Sequence, residues 1–167
     1  AAMLAAQGTK NGSAEQNLPS NITQLTAFGE RASWSPDGRR IAFMSKSFGD
    51  AFVVAVSTKM VRLLTHYHNF GYLRVQYLPN GDFFLIGART FTDIRTTRSR
   101  DQEMWVLKSD GNGQPAPLDH KISEGVAISR KTAKIAWSNT RGQYPNLLQE
   151  GESVIYTADI VEETGRP

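Results

Sequence analysis

The stretch Ser33-Trp34-Ser35-Pro36-Asp37-Gly38-Arg39-Arg40-Ile41-Ala42-Phe43 places a tight turn between two short apolar runs. Proline presets its backbone angle, aspartate hydrogen-bonds nearby main chain, and glycine tolerates left-handed angles, so Pro-Asp-Gly between such runs reads as a hairpin. The pattern returns 43 residues later as Tyr77-Leu78-Pro79-Asn80-Gly81-Asp82-Phe83-Phe84-Leu85-Ile86. It returns more faintly, a further 51 residues on, as Ile128-Ser129-Arg130-Lys131-Thr132-Ala133-Lys134-Ile135-Ala136-Trp137. Each copy is followed by a second strand-like run, over residues 52–56, 104–107 and 154–158. After the first two of these comes a turn and a shorter run, over residues 61–65 and at Pro117-Leu118.

The repeating unit is strand, turn, strand, loop, strand, turn, strand, spread over about 40–50 residues, which is the signature of a β-propeller blade. One four-stranded blade cannot bury both of its faces; stacking neighbours around an axis buries them and leaves only short edges. No window of a dozen residues carries a 3.6-residue apolar stripe, so the chain reads as all-β. Residues 1–21 read as a polar tail. Residues 22–26 read as a closing outer strand, and residues 31–65, 74–118 and 125–167 as two blades and an incomplete third.

Composition agrees with a globular domain. Apolar residues make up 40% of the 167 and charged residues 21%, too apolar for a disordered chain. With no cysteine, disulfides, thiolate metal sites and a thiol nucleophile are excluded. A net charge of +3 with well-mixed signs argues against a nucleic-acid partner. No apolar run is long enough for a membrane-spanning helix. Ala1 to Ala6 reads either as the end of a signal peptide or as a frayed terminus. Asn21-Ile22-Thr23 matches the N-glycosylation pattern, marking Asn21 as a candidate acceptor and leaning toward a secreted or periplasmic protein.

The first turn, together with Val61-Arg62-Leu63-Leu64-Thr65, resembles the TolB-like β-propeller family. In that family such a turn joins the first and second strands of a blade and a Leu-Thr pair closes the fourth. The likeness covers roughly residues 22–167 and implies part of a six- or seven-bladed ring. About three blades cannot close a ring, since propellers use about 4–8. The expectation is therefore a second chain or a second copy that completes the propeller: either this is a fragment or nicked chain, or two copies exchange their 22–26 strands.

In that fold the loops after second and fourth strands share one end. His66, His68 and His120 fall there, with His66 and His120 at matching places in consecutive blades. Converging imidazoles suit a divalent metal, whereas solvated histidines with no joint role are the plainer alternative. Arg89, Arg95, Arg98 and Arg100 crowd the longest loop and Arg141 and Tyr144 another, a pattern suited to an acidic small molecule or glycan. Asp93 and Asp101 interleave, so a merely solvated loop is the alternative. Trp34, Phe43, Tyr77, Phe84, Trp105 and Trp137 read as core between blades, and Asp37 as a turn residue.

These residues predict a binding or interaction module with its ligand on the loop face. One enzymatic alternative is a metal-dependent propeller lyase or hydrolase acting on an acidic polysaccharide. The other is the propeller domain of a prolyl-oligopeptidase-type serine peptidase, whose catalytic residues would lie elsewhere. No nucleophile elbow, phosphate loop or dinucleotide fingerprint is present.

Overall fold

The computed structural model describes residues 12–66, 70–110 and 113–161. Three antiparallel sheets follow one another along the chain. The first is built from β1 (Glu30–Trp34), β2 (Arg40–Met44), β3 (Ala51–Ala55) and β4 (Val61–Leu63). The second is built from β5 (Tyr72–Tyr77), β6 (Phe83–Ala88), β7 (Gln102–Leu107) and β8 (Ala116–Lys121). The third is built from β9 (Val126–Ile128), β10 (Lys134–Thr140) and β11 (Ser153–Asp159). In every sheet the spatial order follows the chain order, so strands pair only with their sequence neighbours.

The three turns that open the sheets close alike. Ser35 N–H donates to Arg40 O at 2.9 Å, Leu78 N–H to Asp82 O at 2.8 Å, and Ser129 N–H to Lys134 O at 2.9 Å. The side chains that stiffen them differ. In the first, buried Ser35 donates its hydroxyl to Asp37 at 2.6 Å, and Asp37 accepts from Arg39 N–H at 3.1 Å. Those two bonds, the Ser35 hydroxyl foremost, hold the Asp37 carboxyl below its usual range. In the second, Asn80 accepts from Asp82 N–H at 3.1 Å while Asp82 reaches across to Ser109 N–H at 2.8 Å. The third has neither Pro nor Asp, and the Ser129 hydroxyl accepts from Lys131 N–H at 3.2 Å instead.

The core lies between the sheets. All six residues of β6 are buried. Because side chains alternate across a strand, Phe83 and Leu85 face the first sheet with Ala42, Met44, Val53, Val75 and Tyr77. Phe84 and Ile86 face the third with Met104, Ile122, Ile135 and Trp137. A strand buried on both faces loses the apolar–polar alternation and becomes a continuous apolar run, here Phe83-Phe84-Leu85-Ile86.

Tyr77, Phe84 and Trp137 are buried between sheets and Trp105 partly so, as expected, whereas Phe43 is buried on the outer face of the first sheet against Phe28 and Phe52. Trp34 is not core: it is 60% exposed. It pairs with Ile41 at the end of β1, on the face turned away from the second sheet, where no other sheet stands among the described residues. Phe28 covers part of that face, meeting Phe43 at 5.6 Å and Phe52 at 5.3 Å edge-on, but does not reach Trp34's end. The expected outer strand over residues 22–26 belongs to none of the three sheets.

Two-sided burial makes β6 the most sensitive element. Phe84→Ala is expected to cost about 3–5 kcal/mol of unfolding free energy. Ile155→Ala, at a site 81% exposed on β11, should change it by less than about 0.5 kcal/mol. Urea titration followed by circular dichroism checks both.

Candidate functional site

Antiparallel order brings the segments after β2, β4 and β6 to one end of the first two sheets. Where they meet they leave a cleft of about 520 Å³ lined by Ser45, Lys46, Phe48, Gly49, Asp50, Phe70, Gly71 and Phe91. Phe70 and Phe91 are about half exposed, and Phe91 packs edge-on against Phe48 with ring centres 5.3 Å apart. These loop phenylalanines were not singled out from the sequence. The signal that finds them is position: each lies outside a strand, where an aromatic has no sheet core to fill.

Backbone pairing fixes the cleft wall. Gly49 and Tyr72 exchange two hydrogen bonds, 3.2 Å and 2.8 Å, which clip the β2–β3 loop to the start of β5. Gly71 makes that approach possible. Its φ is +81°, and a Cβ there would fall inside the Phe48 carbonyl. On the far side of the loop, fully buried Thr65 donates its hydroxyl to Asp50 at 2.8 Å and accepts from Ala51 N–H at 2.9 Å.

The arginines are largely committed to neighbours. Arg89 donates to Glu103 at 2.6 Å and to Asp119, and its guanidinium lies 5.3 Å from the Trp105 ring centre. The bond to Glu103, then that to Asp119, pushes its pKa further up. Arg98 pairs with Glu124, and Arg141 lies 3.8 Å from Glu150. Arg95 and Arg100 are exposed. They ride on a short helical turn, Ile94–Thr96 running into Thr97–Asp101, in a segment the sequence reading took as plain loop. Its signal was Asp93, whose carboxylate caps Thr96 N–H at 2.9 Å and is held below its usual pKa by that residue.

The two rim loops touch each other. Gln143 donates its amide to Ser99 O. Lys121 joins both loops, giving its ammonium to Arg100 O at 3.0 Å and its main-chain N–H to the Tyr144 hydroxyl at 3.4 Å. Tyr144 is therefore a brace between loops.

His66 follows β4 and is exposed. His120 does not sit in a loop, as the sequence predicted, but inside β8. The β6–β7 ladder continues through Gly87–Glu103 and Ala88–Gln102, so β8 lengthens beside it. Its register shifts on the way, with Asp119 at a φ of 55°. The His120 ring ends up 6.3 Å from Trp137. His68 lies outside the described residues, and among the described residues no three His, Asp or Glu side chains are grouped to hold a metal. Asn21 is exposed. No helix among the described residues is long and apolar enough to cross a membrane.

No protein-family model and no curated protein matches this chain. Solved structures do. A protein assigned as TolB from Agrobacterium tumefaciens superposes with a TM-score of 0.61 at 14% identity, over 81% of this chain and 48% of that one. TolB from Acinetobacter baumannii gives 0.57 at 19% identity, over 81% and 32%. Pyrococcus horikoshii acylaminoacyl peptidase gives 0.53 at 15% identity, over 81% and 24%. The chain spans less than half the length of each, and what it shares with them is the fold: TolB-like, β-propeller architecture.

Gly71→Ala should destabilise the protein by more than about 1 kcal/mol, because the left-handed angle and the Phe48 carbonyl both oppose a side chain. Thermal unfolding measures it, and an unchanged midpoint would remove the clip as a determinant of the cleft.

Proposed function

We propose that the chain supplies three blades of a TolB-like propeller that works as a protein-interaction module, binding a peptide segment of its partner in the loop-end cleft. The observation that carries this reading is the aromatic cleft itself. Phe48, Phe70 and Phe91 offer apolar contact, and Lys46 and Asp50 offer one charge of each sign. A peptide, with apolar side chains and both hydrogen-bonding polarities, matches such a lining better than a polyanionic glycan does. The arginines that would hold acidic sugar residues favour it further, since Arg89, Arg98 and Arg141 already face carboxylates. The metal-dependent lyase reading keeps two exposed histidines, His66 and His120, with no third ligand beside them among the described residues. An exported location fits this module, with Asn21 exposed for modification if the compartment allows it.

A second reading, the propeller part of a serine peptidase, draws on the likeness to acylaminoacyl peptidase. In that case the cleft end would face a hydrolase domain rather than a free partner.

The test is display selection of random peptides on the purified protein, run beside an array of acidic oligosaccharides. Peptide ligands are expected, and Phe70→Ala or Phe91→Ala should weaken them about tenfold or more. Binding that ignores both variants, or selection of acidic glycans alone, overturns the peptide reading.

A further inference from the structure

We propose that Arg74 and Gln76, on β5, form a binding site for a carboxylate group between the second and third sheets. In register, Arg74 lies opposite Ile86 and Gln76 opposite Phe84. Cross-strand partners project to the same face. Ile86 and Phe84 face the third sheet, so Arg74 and Gln76 do too, about 7 Å apart along the strand.

Each side chain has one buried atom without a partner. The Arg74 Nε and the Gln76 Oε1 are shut off from solvent and have no hydrogen-bond partner. Among the described arginines, Arg31, Arg40, Arg89, Arg98 and Arg141 each have a carboxylate in reach. Arg39, Arg62, Arg95, Arg100 and Arg130 are exposed. Arg74 is the described arginine that is drawn inward and left without an anion. A buried, unpaired N–H of a charged group is costly, and native structures rarely leave one without an occupant.

The first sheet shows what fills the same places when nothing else is meant to bind. Ser33 lies opposite Ala42 as Gln76 lies opposite Phe84, and its hydroxyl accepts from Tyr77 N–H of the next sheet at 3.3 Å. One level along, Glu30 lies opposite Met44 and neutralises Arg31. In the second sheet Arg74 itself stands at the place of Glu30, opposite Ile86, with no carboxylate in reach among the described residues. A planar carboxylate accepts from a guanidinium edge in good geometry, and Gln76, with its amide turned so that the NH2 rather than Oε1 faces the group, donates a further bond. This site lies farther along β5, turned toward the third sheet, and rests on another observation than the loop-end cleft, so either can fail without the other.

The experiment follows the Arg74 Nε–H resonance by NMR, assigned through Arg74→Lys. The probes are sodium acetate against sodium chloride at equal ionic strength, then an N-acetylated tripeptide with a free carboxyl end against its amide. Acetate is expected to shift the resonance saturably where chloride does not. If the tripeptide acid also shifts it and the amide does not, the natural source is a peptide carboxyl terminus. If acetate acts and the tripeptide acid does not, the source is a small free acid. Arg74→Lys, followed at the Gln76 side-chain amide resonance instead, should weaken acetate about tenfold or more. Gln76→Glu sets a carboxylate beside Arg74, so it should raise the thermal midpoint and abolish the acetate response. No saturable shift with either carboxylate, an equal shift with chloride, or an acetate response that survives in Gln76→Glu overturns the site.

Discussion

The structure depends on one constraint: its middle sheet has no face to spare for water. Phe83 and Leu85 on one side of β6, Phe84 and Ile86 on the other, are each nearly or fully buried. Removing either neighbouring sheet would return a row of large apolar side chains to solvent, at about 1.5–3 kcal/mol for each one exposed. Sheet-on-sheet stacking is thus what the sequence of β6 demands. The outer face of the first sheet carries a weaker version of the same demand, with Trp34, Val61 and Leu63 partly in solvent and Phe28 laid over the rest.

The stacked backbone is repeated, but the chemistry that closes each sheet at the loop end is not. Ala51 and Met104 lie opposite Met44 and Ile86, so Asp50 and Glu103 stand at like positions. Thr65 follows β4, while Asp119 lies on β8 two residues before Lys121, the register partner of Glu103. In the first sheet Thr65 bonds Asp50 directly. In the second Arg89 bridges two carboxylates, Glu103 and Asp119, and is laid against Trp105. A residue that looks from the sequence like part of a ligand-binding cluster is, in place, the counter-charge that lets two like charges close a ladder.

How much could be read in advance follows the same division. The turns, the strand runs and the three-fold recurrence were legible because they are local: Pro36-Asp37-Gly38 and Pro79-Asn80-Gly81 announce a hairpin whatever surrounds them. Even the third turn, stripped of that motif, was located from its flanking strands, and Ser129 does the work there. What depended on a neighbouring sheet was not legible. Trp34 looks like every other strand aromatic until it is seen that no sheet among the described residues lies against its face. His120 was placed one element too late because the β6–β7 ladder runs farther than its counterpart, which no turn signal marks. Arg74 alternates with Leu73 and Val75 as any solvent-facing residue would, and only the third sheet makes it an interior one.

Because every strand pairs with the one before or after it in the chain, each sheet is a self-contained segment of sequence. The loop between β2 and β3 is six residues long and that between β6 and β7 thirteen, yet the hairpins they join are built alike. Loop length at this end is uncoupled from strand register. Mutation and insertion can therefore remodel the cleft lining without renegotiating the core, and these loops can drift quickly while the architecture stays recognisable at 14–19% identity.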